Sequence, residues 1–191
     1  DEESLHMRQL LKTKLIDIGC SSGVFLDCAK SCGLDQLYGI ELNNNDREIA
    51  KSKGFNVFGD NIESIGQKYD VITFWDVFEH IPNGSDFLKI HKNYLSKDGL
   101  IFMQIPSCES LAARILRENC NVFDGVEHVN LYSESSIRKL SKACGFELIN
   151  IEYPYFDTPF FTKKNLLNIL KKNVVSPPFY GSVITLYLRK K

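Results

Sequence analysis

Along the chain, short apolar runs alternate with longer stretches in which apolar residues recur every three or four positions. The runs at 14–19, 36–42, 55–58, 69–75, 99–105, 146–153 and 182–189 predict seven strands. Several, such as Lys14-Leu15-Ile16-Asp17-Ile18, are apolar at successive positions, as a strand buried on both faces must be. The stretches between them predict helices at 3–11, 22–32, 45–53, 84–96, 134–144 and 163–172, with Gly33, Gly54, Gly99, Gly145 and Gly181 near their ends. Strand and helix in alternation build a mostly parallel sheet with helices on both faces, so the expected fold is α/β and doubly wound. The pattern contains no internal repeat and no low-complexity tract.

Composition narrows the class. A chain of 191 residues with 43% hydrophobic content suits one domain over 1–191 with a full core. No apolar run approaches the ~20 residues that cross a bilayer, and Asp1-Glu2-Glu3 is unlike the basic start of a signal peptide, so a soluble, cytoplasmic protein is expected. The first residue is not methionine, which suggests that residues precede Asp1. Six cysteines, at 20, 28, 32, 108, 120 and 144, form no C-x-x-C pair, which argues against zinc or a disulfide framework and for buried free thiols. A net charge of −1 argues against a broad nucleic-acid surface.

The first chemistry lies in the turn Gly19-Cys20-Ser21-Ser22-Gly23, where small residues let backbone approach a ligand, and in Glu41, about twenty residues on at the end of the second strand. A carboxylate there can accept hydrogen bonds from both hydroxyls of a ribose. A dinucleotide fold would require G-x-G-x-x-G, but counting from Gly19 gives Ser21 and Val24 at the second and third glycine positions. Asp17-x-Gly19-x-Ser21-x-Gly23 instead resembles the acidic, glycine-rich first motif of class I methyltransferases, with Ser21 in place of the middle glycine. Asp76-Val77-Phe78-Glu79-His80-Ile81-Pro82, at the end of the fourth strand, is similar to the matching block of methyltransferases of the ubiquinone-biosynthesis and small-molecule type. Gly99–Pro106, Ser107–Ser110 and Glu127–Ser133 extend the resemblance.

The resemblance implies a sheet of order 3-2-1-4-5-7-6 ending in an antiparallel hairpin, and S-adenosylmethionine as cofactor with S-adenosylhomocysteine as product. Its implied cofactor contacts are Asp17, Gly19, Cys20, Ser21 and Gly23 at the first turn, Glu41 and Leu42 at the ribose, Asp60, Asn61 and Ile62 at the adenine, and Trp75 and Asp76 beyond the fourth strand. Gly59-Asp60-Asn61 is also strong turn and capping chemistry, which is the plainer use of Asp60.

Methyl transfer is an in-line displacement, so positioning supplies most of the rate, and a base near neutral pKa helps when the acceptor is a hydroxyl. His128 is the first candidate for that base and His80 the second, while His6 and His91 fall on expected surface helices and look inert. Asp76-x-x-Glu79-His80 with His128 also resembles the ligand set of metal-dependent small-RNA terminal 2′-O-methyltransferases, although that family has Glu at the first position and a further His where Gly125 stands. The preferred reading has no metal, with Asp76 and Glu79 orienting the cofactor's amino-acid end.

Acceptors in such folds are gripped by insertions, here near 108–130 and 154–181, the second rich in Tyr155, Phe156, Phe160, Phe161, Phe179 and Tyr180. Lys163, Lys164, Lys171, Lys172, Arg189, Lys190 and Lys191 make the C-terminal stretch basic, suited to peripheral contact with phosphates or simply to a solvated face. The expected partner is a small-molecule acceptor methylated on oxygen, nitrogen or carbon. An RNA ribose methyltransferase and a non-catalytic cofactor-binding scaffold are the alternatives.

Overall fold

A computed structural model describes residues 11–123, 125–153 and 183–191. The strands are β1 (Lys14–Ile18), β2 (Gln36–Ile40), β3 (Asn56–Phe58), β4 (Tyr69–Trp75), β5 (Leu95–Pro106), β6 (Phe146–Glu152) and β7 (Val183–Lys190). They form one sheet in the order β3-β2-β1-β4-β5-β7-β6. β1 to β5 pair in parallel, and β7 runs antiparallel to both β5 and β6, as the sequence resemblance implied. The helices are α1 (Val24–Ser31), α2 (Asn44–Ser52), α3 (Ile62–Ile65), α4 (Gly84–Asn93), α5 (Leu111–Leu116) and α6 (Glu134–Ala143).

The period-two pleat of β1 divides the core. Leu15 joins Leu26, Ala29, Leu37, Ala50 and Phe55 beneath α1 and α2, while Ile16 and Ile18 join Ile72, Phe74, Leu88, Met103 and Ile137 beneath α4 and α6. Both clusters are buried, so the sheet is covered on both faces.

The main departure from the sequence pattern is the start of β5. The helix expected over 84–96 stops at Asn93, the strand begins at Leu95, and Gly99 lies inside that strand instead of ending a helix. Tyr69 explains the shift: its N–H donates to the Tyr94 carbonyl at 2.8 Å and it pairs with Leu95, drawing this segment into the sheet. A second departure is α3, a single turn capped by the Asn61 side chain, which accepts from the Ser64 N–H. The helices expected at 3–11 and 163–172 and the aromatic insertion at 154–181 lie wholly or almost wholly outside the described residues.

The cysteines are all free, but Cys28 and Cys32 are exposed and Cys108 half-buried, contrary to the expectation of buried thiols: Cys28 lies on the solvent side of α1 and Cys32 caps its end. Lys190 lies at the end of β7 away from Val183, where its ammonium donates to the Leu95 carbonyl, so the described basic end sits at the opposite edge of the sheet from the β1–α1 turn. Among the described residues no helix is long and apolar enough to cross a membrane.

Candidate active site

The carboxyl ends of β1, β2 and β4 meet at one edge of the sheet, where open α/β folds bind ligands. β1 leaves through Gly19, whose φ of 75° a side chain rarely adopts and where a Cβ would stand 2.6 Å from Val77 Cγ2. Gly23 starts α1 at φ 81°, tight against Ala50 and Phe55. Gly19 and Cys20 donate to the Ile40 carbonyl at 2.8 and 3.1 Å, tying the turn to the end of β2.

Glu41 completes this tie. One carboxylate oxygen accepts the Ser21 N–H at 2.9 Å and the other accepts the Asn43 N–H at 2.7 Å. The acid is thereby held over the turn, and each oxygen keeps a further lone pair. Arg47 donates to the Glu41 carbonyl at 2.8 Å, and its guanidinium passes over Gly59, where a Cβ would stand 2.8 Å from Cζ. Behind the turn, Asp17 is buried and accepts from the Thr73 hydroxyl at 2.6 Å. Burial, opposed by that hydrogen bond and reinforced by the charge of Glu41, pushes its carboxyl up to about 7.

In front of the turn is a cavity of about 340 Å³, lined by Gly19, Glu41, Leu42, Asp60, Asn61 and Ile62 together with Ile18, Ile40, Glu63, Val77, Ile81, Phe87, Ile90 and His91. Its walls are mostly apolar, and of its carboxylates Glu41 and Asp60 come from loops and Glu63 from the first turn of α3. His91 corrects the expectation of an inert surface residue: it is 5% exposed, packed against Phe74 and Phe87, and its Nδ1 lies 2.7 Å from the Phe87 carbonyl. A carbonyl only accepts, so Nδ1 carries the proton. Burial holds the imidazole neutral, with its pKa lowered to about 4 despite that bond.

Beyond β4 the chain turns at Asp76, with φ 51°, and its N–H donates to the Gln104 carbonyl at 3.2 Å. Burial raises the Asp76 carboxyl, while the Gln104 amide and the two nearby histidines pull it down. Trp75 points to the other face, 5.0 Å from Phe25 between ring centroids, and does not line the cavity. Glu79 is 1% exposed, neither of its carboxylate oxygens has a hydrogen-bond partner among the described residues, one of them lies 3.8 Å from His80 Nε2, and burial raises its pKa. His80 donates Nδ1–H to the Glu127 carbonyl at 2.7 Å, and His128 donates Nδ1–H to the Val122 carbonyl at 3.2 Å. The two rings are 5.2 Å apart, and one ligand atom from each of Glu79, His80 and His128 falls within 4.8 Å of the others.

Residues 5–151 match the family described as a methyltransferase domain. The chain belongs to the class I methyltransferases. It is similar to a ubiquinone biosynthesis O-methyltransferase of Glaesserella parasuis serovar 5 (strain SH0165), 29% identical over 108 residues, 49% of this chain and 45% of that protein. A second ubiquinone biosynthesis O-methyltransferase, from Actinobacillus pleuropneumoniae serotype 5b (strain L20), is 25% identical over 134 residues, 63% of this chain and 54% of that one. The chain thus spans about half the length of these relatives. In fold it resembles an S-adenosylmethionine-dependent methyltransferase from Archaeoglobus fulgidus, with a TM-score of 0.69 and 17% identity over 99% of this chain and 91% of that one. A magnesium protoporphyrin IX methyltransferase from Synechocystis PCC 6803, solved with bound S-adenosylmethionine, gives a TM-score of 0.62 at 14% identity over 100% of this chain and 76% of that one.

Of the methyltransferase residues named from sequence, Gly19, Glu41, Leu42, Asp60, Asn61 and Ile62 converge on the cavity. Asp17, Cys20, Ser21 and Gly23 build the turn behind it, and Asp76, His80 and His128 gather beyond β4. Val77, Phe87, Ile90 and His91 were missed as lining residues. The signal for His91 was its place three and four residues after Leu88 and Phe87, on the inward stripe of α4.

Proposed function

We propose that this domain transfers a methyl group from S-adenosylmethionine to an oxygen, nitrogen or carbon of a small-molecule acceptor in the cytoplasm, releasing S-adenosylhomocysteine. The observation that carries this reading is Glu41, fixed by two backbone N–H groups at the mouth of an apolar cavity with lone pairs left for two ribose hydroxyls. In this reading the backbone of Gly19, Cys20, Ser21 and Gly23 lets the cofactor approach, Asp17 braces the turn, and Leu42 and Ile62 flank the adenine. Asp60 accepts from the adenine amino group, and Asn61 supports that loop by capping α3. Asp76 faces the amino-acid end of the cofactor, and Trp75 frames the strand end against Phe25.

The chemistry needs the acceptor atom in line with the sulfonium methyl, which the 108–130 and 154–181 insertions would supply by enclosing the acceptor. His128 is the base for a hydroxyl acceptor: with Nδ1 donating to Val122, the ring atom that takes a proton is Nε2. Calorimetric titration with S-adenosylmethionine, S-adenosylhomocysteine and NAD tests the pocket. Micromolar binding of both sulfur nucleotides without NAD is expected, and Glu41→Ala should weaken it by roughly 1 to 3 kcal/mol, the scale of charge-assisted hydrogen bonds. Tight NAD binding, or an unchanged affinity in the variant, would refute the assignment. His128→Ala should abolish turnover while sparing cofactor affinity; full activity in that variant removes His128 as the base, and cofactor binding with no turnover on any acceptor favours a scaffold.

A second reading is favoured by one observation, the buried carboxylate of Glu79, without a hydrogen bond among the described residues, beside His80 and His128. Both imidazoles donate Nδ1–H to carbonyls, which leaves Nε2 of each as a ligand atom, the arrangement that orients metal-bound histidines. These three residues would hold a divalent cation, which would polarise an acceptor hydroxyl such as that of an RNA ribose. Activity lost on chelation and restored by magnesium or manganese is required by this reading, and activity indifferent to chelator rejects it.

A further inference from the structure

We propose that Arg47 positions the adenosine half of the cofactor site by locking together the two loops that form it; this rests on the methyltransferase reading above. The loop after β2 brings Glu41 and Leu42 to the cavity, and the loop after β3 brings Asp60 and Asn61. Strand pairing between β2 and β3 ends at Ile40 and Phe58, and the Glu41 N–H extends it by one bond, donating to the Phe58 carbonyl at 3.0 Å. Beyond that point the two loops part, yet both must keep a set spacing to grip one ribose and its adenine.

Arg47 spans the gap. It sits near the start of α2, where its N–H donates to the Asn43 carbonyl at 3.0 Å, and its side chain reaches back over both loops. Nη1 donates to the Glu41 carbonyl at 2.8 Å and to the Leu42 carbonyl at 3.3 Å, while Nη2 donates to the Asn44 side-chain oxygen. The same guanidinium covers Gly59: a Cβ there would stand 2.8 Å from Cζ, 2.9 Å from Nη1 and 3.2 Å from Nε. Gly59 is not among the glycines of positive φ, so its backbone conformation does not call for glycine. The space that the guanidinium occupies does.

Holding a long side chain in one geometry costs rotamer entropy, which charge-assisted hydrogen bonds to carbonyls offset. The planar group presents donors along its edge to the first loop and a flat face to the second, a combination an ammonium lacks. Arg47 does not line the cavity and therefore acts through its neighbours. It holds the carbonyl of Glu41, whose carboxylate faces the ribose, and it packs on Gly59, which directly precedes Asp60 at the adenine. It is a positioning residue for adenosine, with no part in methyl transfer.

The test is calorimetric titration of the full chain with S-adenosylhomocysteine and with 5′-methylthioadenosine, which lacks the amino-acid end, alongside circular dichroism melting to show that each variant folds. Arg47→Ala should lower affinity for both ligands by the same factor, about tenfold or more, and Arg47→Lys, which keeps the charge without the flat face, should recover only part of it. Gly59→Ala should also lower both affinities, because its methyl group displaces the guanidinium. In the Arg47→Ala background the same change should add nothing, since no guanidinium is left to displace. Should Arg47→Ala not fold, Gly59→Ala alone must still weaken both ligands. Unaltered S-adenosylhomocysteine affinity in either single variant, a loss not shared by 5′-methylthioadenosine, or losses that add in the double variant each overturns the assignment. Failure of S-adenosylhomocysteine to bind the unmodified chain would instead overturn the methyltransferase reading, so the two failures are distinct.

Discussion

Asp17 and His91 are both buried and ionisable, and their shifts oppose one another. The Asp17 carboxyl is raised from 3.8 to about 7, so the folded state holds a proton that the unfolded chain releases. Its contribution to stability is fully present below pH 3.8 and is lost as pH rises to about 7, a change of roughly 4 kcal/mol. His91 is lowered from 6.5 to about 4, so its contribution is present above pH 6.5 and is lost as pH falls toward 4, by roughly 3 kcal/mol. Between pH 4.5 and 6.5 the two slopes largely cancel in the unmodified protein. Asp17→Asn should therefore make the protein lose stability more steeply, relative to the unmodified chain, as pH falls through that window. His91→Phe should do the opposite. Urea unfolding at four pH values measures both, and parallel pH profiles for the three proteins would refute the prediction. Asp17 was legible as a motif acid because it sits two residues before a glycine turn. His91 was not read from its own residue type, because only the packing of α4 against β4 made it a cavity wall.

Among the elements, α6 shows how local chemistry fixes a boundary. Ser133 accepts the Ser136 N–H at 3.1 Å, while the Ser136 hydroxyl lies 2.9 Å from the Ser133 N–H, a reciprocal cap. Ser133→Ala should cost about 1 kcal/mol in denaturant unfolding without altering cofactor affinity, since the cap satisfies only the first turn of α6. A loss of cofactor affinity would show instead that this helix start positions the 127–132 loop, where Asn130 donates to the Glu79 carbonyl at 3.0 Å. Starts of this kind could be read from Ser133, Asn43 and Asn83, each just before a helical stretch. The start of β5 could not be, because Leu95 and Ser96 continue the polar, helix-compatible run of α4. Their strand conformation comes from a distant partner: the Ser96 hydroxyl donates to the Asp70 carboxylate at 2.8 Å, and Leu95 pairs with Tyr69.

At the scale of the whole molecule, ligand binding should be visible as stability. The cavity draws walls from β1, β2, α3 and α4 and the loops that follow β2, β3 and β4, so a cofactor filling it joins segments from much of the sheet. S-adenosylhomocysteine at 100 times its dissociation constant should raise unfolding free energy by about 2.7 kcal/mol, measured in urea, and NAD at the same concentration should leave it unchanged. By itself the sequence marked the alternation of strands and helices, the glycine turn, Glu41 and the Asp60 loop, because strand burial and turn geometry leave periodic, local marks that neighbouring residues can carry, while the sheet order came only through the resemblance to methyltransferases. Only the tertiary structure decided that His91 lines the cavity, that Trp75 turns away from it toward Phe25, and that Glu79 meets two imidazoles. The physical reason is that burial and pairing of a side chain depend on what segments distant in the chain bring against it, and no local pattern encodes that.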